Sequence, residues 1–150
     1  MSPNPKPGHR EVLSILVTAA LLVPAGCGTG EPTVSARLQL VVADNHVRAE
    51  GDECGGARPY GYVRAGALFT VEGQDGTVLA SGQLPPGRAE NADPSIEWGV
   101  ERFPTVCVLA LTLDGLPARP RYQLRLPEGE PLPFEAPREA PNDPIVVIVQ

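Results

Sequence analysis

The sequence contains few basic, aromatic and histidine residues, and these shortages argue against several classes of function. Its 150 residues include 12 Lys and Arg against 18 Asp and Glu, for a formal net charge of −6. Nucleic-acid binding requires a basic face for phosphate contacts, so this composition argues against it. Aromatic residues make up only 5% of the chain, and His46 is the one histidine beyond the first ten residues. No recurrent catalytic or cofactor-binding spacing is present, so no reaction and no cofactor is predicted.

Proline and glycine, in contrast, are abundant and indicate a chain of short strands and turns. The sequence has 18 Pro and 16 Gly, together about twice the share of a typical globular protein. Beyond the first thirty residues no segment has a helical period, and proline-rich spacers at 117–120, 127–133 and 137–144 would break helices. Long helices are therefore not expected in this region.

Alternating apolar residues predict strands along most of the remaining chain. The alternation runs through 34–42, 60–72, 77–81, 106–113 and 121–126, and residues 145–149 are all apolar. Asp75-Gly76 predicts a hairpin turn, and 106–113, which is apolar on both faces, predicts a central buried strand. The expected fold is an all-β, antiparallel two-sheet β-sandwich of about seven strands, Ig-like or similar; a small β-barrel is the alternative.

The first 26 residues have the pattern of an export signal. Basic residues precede an uncharged run at 12–23, which as a helix would span about 18 Å, short of a ~30 Å hydrocarbon core. Val23-Pro24-Ala25-Gly26-Cys27 resembles a bacterial lipoprotein signal, with Pro24 where an aliphatic residue is usual. The resemblance implies a signal peptide at 1–26, a lipidated Cys27 with a short tether at 27–33, and a domain at 34–150. Ordinary secretion and an uncleaved anchor are the alternatives.

The three cysteines support export and suggest one disulfide. An exported protein rarely keeps a free thiol, so lipidation of Cys27 would leave Cys54 and Cys107 to pair. Closing that loop would stabilise the fold by about 4 kcal/mol in the chain-entropy model. A metal site or a reactive thiol is the rival interpretation, although one distant histidine and two cysteines offer few soft ligands.

Aromatic residues beside carboxylates form the first candidate binding surface. Trp98 lies between Glu97 and Glu101, an arrangement suited to contact with a protein or a glycan. The plainer interpretation is a surface loop held by packing of Trp98. Tyr60 and Tyr62 flank Gly61 and would either line a small pocket or pack at the sheet edge.

A second set of candidates lies in the acidic stretch between 44 and 53. Asp44, Glu50, Asp52 and Glu53 supply the oxygen ligands that calcium prefers, or form a solvated acidic loop. His46 could act as a general base with Asp44, and two carboxylates within 90–101 could act on a sugar. A surface histidine and an exposed acidic loop are the plainer interpretations.

A pattern of cysteines, glycines and alternating strands extends from Cys54 onward. Its residues are Cys54-Gly55-Gly56, Tyr62, Gly66, Phe69-Thr70-Val71, Asp75-Gly76-Thr77-Val78-Leu79-Ala80-Ser81-Gly82, Leu84, Gly87, Cys107 and Tyr122-Gln123-Leu124. In these residues the chain resembles small secreted and lipoprotein β-domains of unknown function found in actinobacteria. It differs from them at Val63-Arg64, where an acidic residue is common, and in a longer 88–104 segment. The resemblance implies the fold and an exported location and carries no activity.

Together these observations predict a membrane-anchored extracytoplasmic lipoprotein with a non-catalytic binding or structural β-sandwich. Its expected partners are the lipid bilayer, through acylated Cys27, and an envelope protein or glycan. The alternatives are a hydrolase-like enzyme using His46 or the 90–101 carboxylates, and a calcium-dependent binding module. A further alternative is an accessory domain whose 145–149 strand is open for a partner to pair with.

Overall fold

The computed structural model describes Met1 and residues 30–135 and 143–150, and the strands in this part of the chain form two sheets. The five-stranded sheet has the order β2-β5-β6-β1-β9, and the four-stranded sheet has the order β4-β3-β7-β8. This confirms the all-β two-sheet sandwich, and the sheets do not close into a barrel. The strands are β1 Thr33–Arg48, β2 Glu53–Cys54, β3 Leu68–Gly73, β4 Val78–Gln83, β5 Gly87–Asn91, β6 Phe103–Pro117, β7 Arg121–Arg125, β8 Leu132–Glu135 and β9 Ile145–Val149.

The described residues contain no helix with the length and hydropathy that a bilayer-spanning segment needs. The predicted signal peptide and Cys27 fall within residues 2–29, which lie outside the described part of the chain. The predicted tether is described only from Gly30 onward.

The long pairing of β1 with β6 forms the middle of the larger sheet. The two strands are antiparallel, with Leu40 opposite Leu109 and Val42 opposite Cys107, and all four side chains are fully buried. Strand β6 lies between β5 and β1, which confirms the prediction of a central strand at 106–113. Burial of each such aliphatic side chain contributes roughly 1.5–3 kcal/mol. The smaller sheet completes the core with Val71, Tyr122, Leu124 and Phe134.

The structure differs from the sequence prediction in the number and direction of strands. The described residues hold nine strands rather than about seven, because short pairings form at β2, β5 and β8, where little or no alternation is visible. Strand β9 runs parallel to β1, with Leu38 opposite Ile145 and Val42 opposite Val149. Alternation could not reveal this direction, because a parallel and an antiparallel strand bury the same alternate residues.

Strand β1 defines the two ends of the sandwich. Its first residue, Thr33, is opposite Pro117, and its last residue, Arg48, is opposite Phe103. Sixteen extended residues span roughly 50 Å. We call the end of the sandwich at the start of β1 the Thr33 end (residues 31–33 and 117–121). The opposite end, where β1 finishes, is the Arg48 end (residues 48–52 and 91–103).

Tyr122 connects the two sheets where β6 is followed by β7. The side chain is fully buried, and its hydroxyl donates a hydrogen bond to the Pro117 carbonyl at 3.0 Å. The same hydroxyl accepts a hydrogen bond from the Arg119 amide at 3.0 Å. The ring stacks on Phe134 with centroids 5.1 Å apart. One side chain therefore satisfies two backbone groups in the crossing and also fills the core.

Replacing Tyr122 with Phe should remove both hydrogen bonds while keeping the ring in place. We expect the free energy of unfolding to fall by about 1–3 kcal/mol, because two backbone groups lose their partner. The matched control is Tyr60→Phe, since the Tyr60 hydroxyl makes no hydrogen bond within the described residues, and a change below about 0.5 kcal/mol is expected. Urea unfolding measures both variants, and equal losses would contradict the role given to the Tyr122 hydroxyl.

Candidate functional site

A disulfide between Cys54 and Cys107 closes the sheet near the Arg48 end. It joins residues 53 positions apart, with Cα atoms separated by 5.7 Å, and confirms the predicted pair. In sheet order, β5 lies between the two strands that carry the cysteines. Gly87 of β5 lies against the bond: a Cβ there would collide with Cys107 Sγ and come within 2.8 Å of the Cys54 carbonyl oxygen. Only glycine fits beneath this disulfide.

Asp44 is buried beside the disulfide. It is 1% exposed, and one of its oxygens and the two cysteine sulfurs all lie within 4.8 Å of one another. Its Oδ1 accepts a hydrogen bond from the His46 amide at 3.3 Å. Its Oδ2 lies 2.9 Å from Arg48 Nη2 in an ionic contact without hydrogen-bond geometry. The carboxylate is thus held inside the fold by a charge and an amide.

The structure separates the four residues proposed for calcium. Asp44 is buried and paired with Arg48, whereas Glu50 and Asp52 are exposed between β1 and β2 and Glu53 is exposed at the start of β2. Glu50 lines an open cavity at the Arg48 end. The only described group of three metal-type ligand atoms within 4.8 Å of one another is Asp44 with the two cysteines.

An open cavity of about 630 Å³ lies at the Arg48 end, and we call it the Trp98 cavity. It brings together the predicted residues Glu97, Trp98 and Glu101 with Glu50, which comes from a distant part of the chain. Asn91 and Phe103 also line it, and neither was among the candidate site residues. The exposed apolar residues Ile96 and Val100 complete much of the wall.

The aromatic side of the Trp98 cavity is a stacked pair outside the main core. The Trp98 and Phe103 rings are nearly parallel, at 6°, with centroids 6.5 Å apart. Trp98 Nε1 donates a hydrogen bond to Asn91 Oδ1 at 3.0 Å. Trp98 is half-buried, so it both holds the loop in place and contributes to the cavity surface.

Asn91 organises the loop that carries these residues. Besides the indole, its Oδ1 accepts the Asp93 amide at 2.9 Å. Asp93 in turn accepts hydrogen bonds from the Ser95 hydroxyl at 2.6 Å and the Ser95 amide at 3.0 Å, and these bonds lower the pKa of the Asp93 carboxyl. Asn91-Ala92-Asp93-Pro94-Ser95 is rich in turn formers, the one sequence signal that could have identified Asn91.

The Trp98 cavity is negatively charged. Glu50, Glu97 and Glu101 make no ion pair with any described residue. Two arginines close to them in the fold are turned toward backbone oxygens: Arg102 donates to the Val47 carbonyl at 3.2 Å and Arg88 to the Gly51 carbonyl at 3.2 Å. Neither guanidinium forms an ion pair with a cavity carboxylate in the described structure.

The remaining candidates lie elsewhere. The His46 side chain is exposed and does not line the Trp98 cavity; its hydrogen bonds are backbone contacts with Asp44 and with the Thr105 hydroxyl. Tyr62 lines a separate cavity of about 360 Å³, and Tyr60 packs against the core. Burial raises the pKa of Tyr62, and the neighbouring Tyr60 and Glu128 raise it further. Neither tyrosine shares a site with Trp98.

Adding a methyl group at Gly87 tests the fit of the strand beneath the disulfide. We expect Gly87→Ala to lower the free energy of unfolding by about 1–3 kcal/mol, because backbone and sulfur atoms must shift to admit the Cβ. Gly61→Ala is the control, since a Cβ there meets no atom within 4 Å and a change within about 0.5 kcal/mol is expected. Chemical denaturation of both variants is the measurement, and a neutral Gly87→Ala would contradict the close approach.

Truncating Trp98 distinguishes loop packing from core packing. We expect Trp98→Ala to cost about 1–2 kcal/mol of unfolding free energy, from lost contact with Phe103 and one lost hydrogen bond. The core variant Phe134→Ala should cost about 3–5 kcal/mol. Thermal unfolding followed by circular dichroism compares them, and an equal loss at the two positions would mean that Trp98 is a core residue.

The chain was also compared with known proteins. It matches no protein family, no curated protein and no solved structure. The resemblance to actinobacterial β-domains stays a prediction. The candidate site is defined by the three carboxylates and the aromatic pair that the fold brings together at the Arg48 end.

Proposed function

We propose that the protein is a membrane-anchored lipoprotein of the extracytoplasmic face, and that its β-sandwich is a non-catalytic binding module. The Trp98 cavity is the binding site in this proposal. Two features support export: the Cys54–Cys107 disulfide, a bond typical of oxidising compartments, and the lipoprotein-like sequence that ends at Cys27.

The position of the Trp98 cavity relative to Cys27 carries the proposal. Cys27 precedes Thr33 by six residues, which reach at most about 20 Å when extended. Strand β1 then runs from Thr33 to Arg48, and the cavity lies beyond Arg48. A lipid on Cys27 would hold the Thr33 end close to the headgroups and present the cavity at the far end, roughly 50 Å away along the strand.

The point where the tether joins the domain is itself fixed to the fold. The Pro32 carbonyl accepts a hydrogen bond from the Ala118 amide at 2.8 Å. Glu31 pairs with Arg119, next to the crossing that Tyr122 holds. Because these contacts attach the chain to the domain from Glu31 onward, only the residues between Cys27 and Glu31 would separate the lipid from the folded domain.

The lining of the Trp98 cavity suits recognition. Aromatic and aliphatic surface lies beside a few polar groups, the usual make-up of a ligand site. Its described lining residues include carboxylates but no histidine, cysteine, serine or lysine. The charged and amide groups that it offers to a ligand are those of Glu50, Glu97, Glu101 and Asn91.

The edge of the larger sheet favours a second candidate, an accessory domain that a partner extends by strand pairing. Strand β9 carries no charge, and Val146 and Ile148 are each 56% exposed. Among the described strands only β1 pairs with it. An uncharged edge strand with exposed apolar side chains is a usual acceptor for an added strand.

The intact mass of the protein from the membrane fraction of a lipoprotein-processing bacterium tests the anchoring. We expect residues 27–150 plus fatty acyl groups, at a mass lower than the fully reduced form by two hydrogens. Cys27→Ser is the matched control and should leave the membrane fraction, because acylation requires the thiol. A soluble, unacylated product that retains Cys27 would overturn the proposal.

A further inference from the structure

The three carboxylates of the Trp98 cavity do not converge as they would in a compact metal site. Within the described chain, Asp44 and the two cysteines are the only group of three ligand atoms lying within 4.8 Å of one another. Glu50, Glu97 and Glu101 line the cavity without meeting that limit. Carboxylates that are separated from one another match a ligand with several separated positive charges better than they match one small metal ion.

The apolar part of the cavity would accommodate a side chain with a hydrophobic stem. Ile96 is 42% exposed and Val100 is 61% exposed, and both lie beside the Trp98–Phe103 pair. Lysine and arginine carry methylene stems that pack on such surfaces while their charged heads stay near water or carboxylates. Aromatic rings add a favourable interaction with ammonium and guanidinium groups.

From these observations we infer that the Trp98 cavity binds a cationic peptide segment, with lysine or arginine side chains placed against Glu50, Glu97 and Glu101. The inference rests on the binding role proposed above and does not depend on the lipid anchor. Charge complementarity favours this occupant, since the cavity lining has three carboxylates and no basic residue, and none of the three forms an ion pair within the described structure. The basic segment would belong to a partner protein.

The cavity wall is held in place before any ligand arrives. Asn91 Oδ1 accepts hydrogen bonds from the Trp98 indole and the Asp93 amide, and Asp93 is bonded twice to Ser95. A wall held by its own hydrogen bonds loses less conformational entropy on binding. Asn91 is a positioning residue in this arrangement, because it acts through Trp98.

The chain's single tryptophan provides a direct probe, since Trp98 itself lines the cavity. The full chain is purified from whichever fraction contains it, in a neutral detergent. It is titrated with a capped peptide of alternating lysine and alanine, and separately with the glutamate counterpart. We expect the lysine peptide to shift the fluorescence emission of Trp98 at low salt. Added salt should weaken the binding of this peptide. The glutamate peptide should leave the emission unchanged.

Charge-removing variants locate the binding. Glu97→Gln and Glu101→Gln should each weaken binding of the lysine peptide about two- to fivefold, and the double variant about tenfold. Glu130→Gln removes the same charge from an exposed position outside the cavity and should leave the affinity unchanged. Unfolding curves of all variants show whether each one is folded.

Three outcomes would overturn the inference. The first is no change in emission up to about 1 mM lysine peptide, and the second is an equal loss of affinity in Glu130→Gln. The third is calcium alone saturating the emission change and displacing the peptide.

A soluble, unacylated protein that still binds the peptide would overturn the anchoring proposal and leave this inference standing. An acylated membrane protein that binds no peptide would overturn this inference and leave the anchoring proposal standing.

Discussion

The structure depends above all on the antiparallel pairing of β1 with β6. These two strands extend along the whole larger sheet, from Thr33 opposite Pro117 to Arg48 opposite Phe103. Their inward side chains form one side of the core. Strand β9 pairs with β1, β5 pairs with β6 and in turn with β2, and the smaller sheet packs across the core. The same pairing sets the distance between the two ends, so it decides how far the chain's Thr33 end lies from the Trp98 cavity.

At the Arg48 end, covalent and ionic contacts reinforce this pairing. The disulfide attaches β2 to β6 across Gly87, and Asp44 lies under Arg48 beside the same bond. A buried ion pair is weak evidence for added stability, because desolvation offsets most of the attraction. Its better-supported effect here is positional, since Arg48 is opposite Phe103 and Phe103 carries the ring that stacks on Trp98. The cavity wall thus rests on a reinforced part of the sheet.

The two ends of the sandwich differ in the way their charges are used. At the Thr33 end and along β7, Arg119, Arg121 and Arg125 are paired with glutamates, so little net charge is left for a ligand. At the Arg48 end the cavity carboxylates have no such partners in the described structure. The three cavity carboxylates form part of an overall net charge of −6, and long-range attraction would favour the approach of a cationic partner.

The amino-acid sequence by itself determined the all-β class and the longer strands, whereas the short strands β2, β5 and β8 show too little alternation to be identified from it. The apolar faces of 106–113 identified it as a central strand, the Asp75-Gly76 pair located a hairpin turn, and the cysteine count together with the lipoprotein resemblance selected Cys54 and Cys107 as the disulfide pair. These features depend on neighbouring residues in the sequence or on the number of cysteines, so they can be predicted without knowing which strands pair. The sheet order, the parallel β9, the burial of Asp44, and the meeting of Glu50 with Glu97 and Glu101 were decided only by the tertiary structure. Strand partners are chosen by burial summed over the whole chain, and periodicity reports which face is apolar but not what covers it.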